Sequence, residues 1–352
     1  MFHLQQGTKA AKRGAIVTAT AGEPNALAGA LRAGDRKALA RAITLVESTR
    51  VRDRERAEIL LTRLLPSTGG ALRIGMSGAP GAGKSTFIEA LGEHVTGLGQ
   101  RIAVLAVDPS SRRSGGSILG DKTRMSSLAR NRAAFIRPTP SGTTPGGVAR
   151  RTRETMLLAE AAGFEVVVVE TVGVGQAETA IADMVDLFLL LISPGGGDDL
   201  QGIKRGAMEL ADLVVVTKAD GDLREAAARA HANYGAALTL LRPKHPGIPI
   251  QIFRTSAITG EGIAKVWTAV QDLAHRMRET GVLEHLRRDQ ARAWFWSEVR
   301  AVLAETIEEE PGMAAQAARL EATVVAGKAL PDVSARALVR LFRGVDGKGA
   351  PP

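Results

Sequence analysis

The residues with the clearest chemistry form a glycine-rich loop at 78–85, which reads Gly-Ala-Pro-Gly-Ala-Gly-Lys-Ser. This is a complete G-x-x-x-x-G-K-[ST] motif, set between a strand-like run and a helical pattern as that motif requires. Glycines let backbone N–H groups approach a phosphate closely, and the start of the helix adds positive charge. The residues expected to contact the nucleotide are Gly81, Ala82, Gly83, Lys84, Ser85 and Thr86. The loop therefore predicts a nucleoside triphosphate site.

Three side chains are candidates for the phosphate and metal chemistry beside this loop. The Lys84 ammonium can reach the outer phosphates, and the Ser85 hydroxyl can be a ligand of Mg²⁺. Asp108 follows an apolar run and could hold Mg²⁺ or a metal-bound water. A helix cap or a turn is the plain alternative for Asp108.

Glu170 ends another apolar run, and Gly173 follows three residues later. In phosphate-loop enzymes an acid at this place assists the Mg²⁺ site. The glycine N–H can contact the γ-phosphate and respond to its hydrolysis. Glu170 is therefore a candidate metal and catalytic residue, and Gly173 a candidate switch residue.

Two polar, glycine-rich segments also follow strand-like runs. Asp121 lies in the first, where a metal or switch role and a helix N-cap fit the spacing equally well. The second segment is either a plain connection or a further moving loop beside the nucleotide, and its notable residues are Gly195, Gly196, Gly197, Asp198 and Lys204.

The residues that could read the base come later in the chain. Thr217-Lys218-Ala219-Asp220 ends one apolar run, and Ser256-Ala257 follows the last one. A carboxylate at Asp220 can accept hydrogen bonds from the N1–H and N2–H₂ of guanine, a donor pair that adenine lacks. The aliphatic stem of Lys218 can cover the base plane. Ser256 and Ala257 can approach the O6 atom, so guanine is the expected base.

Apolar runs and helical patterns alternate through the middle of the chain, which predicts an α/β fold with a mostly parallel, buried sheet flanked by helices. The ligand should lie at the carboxyl ends of the strands, where the phosphate loop, Asp108, Glu170, Asp220 and Ser256 all fall. The predicted strands are Leu72–Met76, Ile102–Val107, Ala133–Arg137, Val166–Glu170, Leu187–Ile192, Leu213–Thr217 and Ile250–Thr255.

The ends of the chain have different patterns. Residues 1–22 lack periodicity and are expected to form a flexible tail. Residues 23–69 predict a helical hairpin, 70–275 the nucleotide-binding domain, and 276–352 a C-terminal helical region. The Trp294-Phe295-Trp296 run favours buried packing within the chain, with burial against a second subunit as the alternative.

Composition narrows the choice of partner and compartment. The 352 residues carry a net charge of +9, but aromatic residues are only 3%, which disfavours a nucleic-acid partner. Apolar runs are too short to cross a membrane. The chain has no cysteine and starts without a secretory signal pattern, so we expect a cytoplasmic protein without disulfides.

Five longer motifs resemble the MeaB/ArgK GTPases, and the resemblance extends over about residues 24–345. It implies a G domain that binds GTP or GDP with Mg²⁺, an N-terminal helical extension and a C-terminal helical arm that forms a homodimer. It also implies a chaperone of adenosylcobalamin-dependent acyl-CoA mutases, which gates cofactor loading and protects or reactivates the mutase. The motifs lie at 107–111 (VDPSS), 115–125 (GGSILGDKTRM), 137–147 (RPTPSGTTPGG), 170–178 (ETVGVGQAE) and 195–204.

The resemblance also assigns roles to residues. It implies that Asp108 and Asp121 belong to a first switch, and Glu170 and Gly173 to a second. It implies that the segment 195–204, with the charged Asp198 and Lys204, is a third switch that contacts the mutase.

One position departs from the family pattern. The family usually has asparagine where this chain has Thr217, and that amide joins the base loop to the phosphate loop. Threonine is shorter, so we expect GTP affinity to be weaker by about 1 kcal/mol, the value of one net hydrogen bond.

Three other functions remain alternatives. A nickel-insertion GTPase for urease or hydrogenase would need cysteine and histidine ligands, and the chain has no cysteine and six histidines. A small-molecule kinase would transfer the phosphoryl group to a bound substrate, and a binding module would hold GTP without hydrolysis. The client is also open among methylmalonyl-, ethylmalonyl-, isobutyryl- and 2-hydroxyisobutyryl-CoA mutases.

Overall fold

The computed structural model describes residues 22–108, 125–140, 147–171, 177–194, 205–245 and 247–344. The chain divides into two compact units, Met1–Arg287 and Arg288–Pro352. The four-part division expected from the sequence is finer than this and stays a prediction. Among the described residues, no helix is long and apolar enough to span a bilayer.

Three helices precede the sheet: α1 (Gly22–Arg32), α2 (Arg36–Glu47) and α3 (Val51–Leu64). The predicted hairpin was therefore wrong by one helix, although its apolar positions are right, since Leu31, Leu39, Ile43 and Val46 are all buried.

The missed break between α1 and α2 has a local cause. Gly34 adopts a positive φ of 80°, and Asp35 then caps α2 by accepting hydrogen bonds from the backbone N–H groups of Lys37 and Ala38. Such a cap satisfies N–H groups that have no partner inside the helix. Two residues are thus enough to end one helix and start the next.

A seven-stranded sheet forms the centre of the first unit, and all of its strand pairings are parallel. The strand order is β3-β2-β4-β1-β5-β6-β7, so β1 lies in the middle, between β4 and β5. This confirms the predicted fold class. The strands are β1 (Leu72–Gly78), β2 (Ile102–Asp108), β3 (Ala134–Pro140), β4 (Val166–Thr171), β5 (Leu187–Ile192), β6 (Leu213–Val216) and β7 (Gln251–Arg254).

Helices cover both faces of this sheet, and alternate residues of each strand point to opposite faces. On one face, Ile74 and Met76 of β1 pack with Phe87 and Trp267. On the other face, β2 and β4 pack against the N-terminal helices. The helices within and beside the sheet are α4 (Lys84–Gly97), α5 (Ser126–Arg130), α6 (Gly147–Ala161), α7 (Ala177–Ala182), α8 (Arg205–Leu210), α9 (Arg224–Leu238) and α10 (Ile263–Glu279).

Gly78 shows why the first glycine of the motif is needed before any ligand is considered. A Cβ atom at this position would lie 2.3 Å from the backbone oxygen of Leu191 on β5. The close approach of β1 and β5 leaves no space for a side chain there. The phosphate loop therefore starts at a point where the two central strands fix its backbone.

Helix α11 (Val282–Glu309) begins in the first unit and continues into the second, where α12 (Met313–Val325) and α13 (Pro331–Phe342) follow it. Phe295 and Trp296 are 60% and 54% exposed, so the interpretation that they are buried within the chain was wrong. Their rings contact each other edge to face at 5.4 Å. These aromatic residues give α11 an apolar surface.

An ionic cluster fixes the first turns of α11 within the first unit. The guanidinium of Arg287 donates to both oxygens of Asp186, at 2.7 and 2.6 Å, and to the backbone oxygens of Gly69 and Ala71. The Asp186 side chain is fully buried. Burial acts to lower the pKa of Arg287, but the hydrogen bonds and charge of Asp186 outweigh it and raise the pKa. The cluster therefore holds a permanent charge pair.

Replacement of Arg287 by alanine is expected to destabilise the protein by about 3 kcal/mol, because it leaves the buried Asp186 carboxylate without its cation. Urea denaturation followed by circular dichroism measures the free energy of unfolding. Arg276→Ala, which removes an exposed arginine from α10, is the matched control and should change it little. Equal stability of the two variants would contradict a stabilising role for the pair.

Candidate functional site

The phosphate loop has the backbone conformation that the sequence predicts. Gly81 and Gly83 have φ angles of 79° and 82°, in the left-handed region that favours glycine. The N–H of Ala82 donates to the oxygen of Ala79 at 3.0 Å and closes the turn. Helix α4 begins directly after it, at Lys84. The loop thus presents its N–H groups and a helix N-terminus to one point.

Lys84 lies inside this loop, and its side chain is almost entirely enclosed. The residue is 8% exposed, and its ammonium donates to the backbone oxygens of Gly78 at 2.8 Å and Ala79 at 3.2 Å. Burial lowers the pKa of Lys84 below the usual range of a lysine, while the charges of Glu170 and Glu178 oppose that effect. An arriving phosphate would meet a cation that is already in position.

This pKa shift predicts that nucleotide affinity decreases at alkaline pH. A bound polyphosphate favours the ammonium form and raises the pKa of Lys84 again, so binding should take up a proton above the pKa of the free protein. Affinity for GDP should be constant below that pKa and fall by about tenfold per pH unit above it. Isothermal titration calorimetry in two buffers of different ionisation enthalpy measures the uptake. An affinity that is independent of pH throughout the alkaline range would contradict the prediction.

Glu170 and Ser85 meet at the far side of the loop. The Ser85 hydroxyl donates to the Oε1 atom of Glu170 at 3.2 Å, and Glu170 is 7% exposed. Hydroxyl and carboxylate oxygens are the ligand types that Mg²⁺ prefers. The structure therefore brings together two of the predicted metal ligands.

A cavity of about 580 Å³ connects these groups. It has room for a nucleotide and reaches from the phosphate loop to Lys218. Its lining residues are Pro80, Gly81, Gly83, Lys84, Ser85, Thr86, Ala106, Val107, Glu170 and Lys218.

A larger cavity of about 860 Å³ lies among α1, α2 and α3, away from the motif. The acidic and basic residues that line it are equal in number, so it offers no net positive charge to a triphosphate. We therefore assign the nucleotide to the smaller cavity. The charged residues of the larger one are Glu23, Glu47, Asp53, Arg41, Arg50 and Arg56.

Asp108 is the last residue of β2, which brings its backbone to the same edge of the sheet as the phosphate loop; its side chain lies outside the description. Its proposed role with the metal stays a prediction. The other predicted site residues outside the described part of the chain are Asp121, Gly173, Gly195, Gly196, Gly197, Asp198 and Lys204.

The two predicted base-reading segments lie together. The N–H of Ala219 donates to the backbone oxygen of Thr255 at 2.9 Å, and the Ser256 hydroxyl donates to the Asp220 carboxylate. Ser256 in turn accepts a hydrogen bond from the N–H of Thr259 at 3.1 Å. The Asp220 carboxylate is therefore held in one orientation, and Ala257 follows on the same loop.

Lys218 has the conformation expected of a side chain that covers the base. Its φ angle of 54° makes it the non-glycine residue with positive φ in the described part of the chain. A Cβ atom on Gly83 would lie 3.6 Å from its Cε atom, so the stem runs beside the phosphate loop. Lys218 accepts an unfavourable backbone conformation, which is a feature of functional sites.

Thr217 keeps the connection that its short side chain was expected to lose. Its hydroxyl lies 2.7 Å from the backbone oxygen of Ala82 in the phosphate loop and 3.1 Å from that of Ile192 on β5. A hydroxyl has one proton and donates to one of these oxygens at a time. The base loop and the phosphate loop are therefore joined without an amide, which the sequence comparison with the family pattern had not foreseen.

Replacement of Thr217 by valine is expected to weaken GDP binding by about fivefold, because it removes one buried hydrogen bond and preserves the shape of the side chain. Thr217→Ser keeps the hydroxyl and is the control, which should bind within twofold of the unchanged protein. Titration with a fluorescent GDP analogue measures both. Indistinguishable affinities for valine and serine would show that the contact has no part in binding.

Sequence reasoning missed a polar group behind the loop. Ser77 on β1 and Thr171 on β4 are buried, and their hydroxyls are 2.8 Å apart. Ser77 also contacts the Glu178 carboxylate at 3.4 Å. Small hydroxyl residues inside apolar strands give a weak signal, so only the register of the sheet could reveal this group.

Comparison with known proteins agrees with this geometry. A family described as "Methylmalonyl Co-A mutase-associated GTPase MeaB" matches residues 39–312. The Escherichia coli protein named GTPase ArgK is 51% identical over 265 residues, which cover 75% of this chain and 80% of that protein. The mouse protein named methylmalonic aciduria type A homolog, mitochondrial, is 47% identical over 320 residues, which cover 88% of this chain and 77% of that protein.

A solved structure also matches along nearly the whole chain. The crystal structure titled LAO/AO transport system kinase superposes with a TM-score of 0.72 at 37% sequence identity, and it covers 91% of this chain and 97% of that one. The family match contains the phosphate loop, Glu170 and the base-reading loops described above. The chain therefore belongs to the MeaB family of methylmalonyl Co-A mutase-associated GTPases and is a GTPase.

Proposed function

We propose that this GTPase is a chaperone of an adenosylcobalamin-dependent acyl-CoA mutase, which gates cofactor loading and protects or reactivates the mutase. The observation that carries the proposal is the match to a mutase-associated GTPase family over residues 39–312, a range that holds the complete nucleotide site. The name of the mouse relative, which refers to methylmalonic aciduria, supports the same client class.

The site supports hydrolysis of GTP with Mg²⁺. Ser85 and Glu170 would hold the ion, with Asp108 at the adjacent strand end, and the ion would neutralise charge on the outer phosphates. Lys84 and the loop N–H groups bind and orient the triphosphate for in-line attack by water. Asp220, held by Ser256, selects guanine.

Hydrolysis would act on the mutase through the segments next to the γ-phosphate. The first switch with Asp108 and Asp121, the second with Gly173 and the third at 195–204 remain predictions. If GTP changes the affinity for the mutase by some factor, the mutase must change the affinity for GTP by the same factor. Intrinsic turnover should be slow, and the client should accelerate it.

We also propose that the protein is a homodimer formed by its C-terminal helices. Phe295, Trp296, Val302 and Leu303 are between 49% and 60% exposed in the single chain, and they recur along α11 at helical spacing. A second copy would cover this apolar surface. Multi-angle light scattering should give the mass of a dimer, and Trp296→Glu should reduce it; a monomer in the unchanged protein would overturn the proposal.

Co-purification with the four candidate acyl-CoA mutases tests the chaperone function. The chain is mixed with each mutase in GDP and in a non-hydrolysable GTP analogue. We expect one mutase to bind with an affinity that depends on the nucleotide, and to accelerate GTP hydrolysis. Failure of all four to bind in either nucleotide would contradict the proposal. The cytoplasmic location stays a prediction.

One specific observation favours a second function, because the solved relative is titled a kinase. A kinase would transfer the γ-phosphoryl group to an acceptor instead of water. Product analysis with γ-labelled GTP separates the two reactions: free phosphate supports the GTPase, and a labelled acceptor supports the kinase.

A further inference from the structure

A buried hydroxyl joins three elements behind the phosphate loop. Ser77 lies on β1, one residue before the loop, and it is fully buried. The Thr171 hydroxyl at the end of β4 donates to Ser77 at 2.8 Å, and the Ser77 hydroxyl donates to the Oε1 atom of Glu178 at 3.4 Å. Glu178 lies in the first turn of α7. One side chain thus connects β1, β4 and α7.

This bridge lies next to the groups that contact the nucleotide. Gly78, the neighbour of Ser77, accepts the hydrogen bond from Lys84 at 2.8 Å. Glu170, the neighbour of Thr171, accepts the hydrogen bond from Ser85. The charge of Glu178 also favours the ammonium form of Lys84, against the effect of burial. A shift of the bridge would therefore displace both sides of the site.

We propose that Ser77 is a positioning residue for GTP hydrolysis, which aligns the Glu170 strand end and the Glu178 carboxylate with the phosphate loop through two hydrogen bonds. The inference concerns the GTPase reaction itself and does not depend on the mutase. Failure of the mutase experiments would leave it intact, and its own failure would leave the chaperone proposal intact.

The physical reason is that alignment affects the reaction more than it affects binding. The loop N–H groups and Lys84 supply most of the contacts to the phosphates, and they remain when the bridge is lost. The position of the Glu170 side chain relative to these phosphates then varies, and reactions of positioned groups are sensitive to displacements of about 1 Å. The rate should therefore fall while affinity is kept.

Single-turnover hydrolysis of GTP tests the proposal, together with the Kd for GDP and the Tm. Ser77→Ala removes both hydrogen bonds and should lower the hydrolysis rate by about tenfold, with the Kd within twofold. Thr171→Val should lower the rate in the same way, and Thr171→Ser, which keeps the hydroxyl, should restore it. If Ser77→Ala fails to fold, the valine and serine pair at Thr171 decides.

A matched control separates this role from the loss of any buried hydroxyl. Thr155 on α6 is fully buried, and no hydrogen-bond partner of its hydroxyl is present in the described part of the chain. Thr155→Val should therefore keep the hydrolysis rate. The proposal is overturned if Ser77→Ala hydrolyses GTP at the original rate, if Thr155→Val is as slow as Thr171→Val, or if Thr171→Ser is as slow as Thr171→Val.

Discussion

Replacement of Lys84 by alanine should weaken the binding of GTP and GDP by at least about a hundredfold, the largest effect that we expect from one substitution. The lost interactions are charge-assisted hydrogen bonds to phosphate, which are about twice as strong as neutral ones. They are also formed by a buried ammonium, where water screens the attraction less than at the surface. Calorimetric titration with each nucleotide measures the loss.

The geometry explains why no neighbouring group can replace Lys84. Its ammonium is held 2.8 Å from the oxygen of Gly78, at the centre of the loop, while Lys218 is exposed and lies beside the base. Lys84→Arg keeps the charge, but a planar guanidinium does not fit a position that is 8% exposed. We therefore expect the arginine variant to bind weakly as well.

Lys265→Ala is the matched control, because it removes a lysine from an exposed position on α10 and leaves the site unchanged. It should bind both nucleotides like the unchanged protein. If Lys84→Ala retained full affinity, the phosphate loop would have no part in nucleotide binding and the assignment of the site would be wrong.

The sheet could be predicted almost entirely from the sequence, because a parallel sheet covered on both faces needs continuous apolar runs. The run Leu187–Ile192 is β5 without any change of boundary, and it is fully buried. The phosphate loop was equally clear, since its glycines and Lys84 occur at fixed spacing. For these features, the local sequence and the tertiary structure require the same residues.

Other features depend on contacts between distant residues, and the sequence could not give them. The Thr217 hydroxyl reaches Ala82, 135 positions away, and the Thr171 hydroxyl reaches Ser77, 94 positions away. Neither contact has a sequence pattern. The exposure of Phe295 and Trp296 was also missed, because an aromatic run has the same composition whether it packs within its chain or against another molecule.

Asp220→Asn should convert the preference for guanine into a preference for xanthine. The carboxylate accepts hydrogen bonds from the N1–H and N2–H₂ of guanine, whereas xanthine carries an oxygen in place of the amino group. An asparagine amide offers one acceptor and one donor, which match the N1–H and the oxygen of xanthine. The same amide places a donor against the N2–H₂ of guanine.

The expected change is a loss of GDP affinity on the order of a hundredfold, with a gain for xanthosine diphosphate. Hydrogen bonds to a charged group contribute about 1.5–3 kcal/mol each, and two of them are lost or reversed. A site built on such polar groups rejects a base that leaves them without partners. Competition of both diphosphates against a fluorescent nucleotide measures the ratio of their affinities.

Ser256 makes this substitution informative, because it holds the side chain at position 220 in place. Its hydroxyl donates to the Asp220 carboxylate, and an asparagine oxygen can accept the same hydrogen bond. The orientation of the side chain should therefore be kept while its charge is lost. Asp222→Asn makes the same change at an exposed residue two positions later and should leave the preference for guanine intact. A variant at 220 that still prefers GDP would mean that the base is recognised elsewhere, by backbone groups of the Ser256 loop.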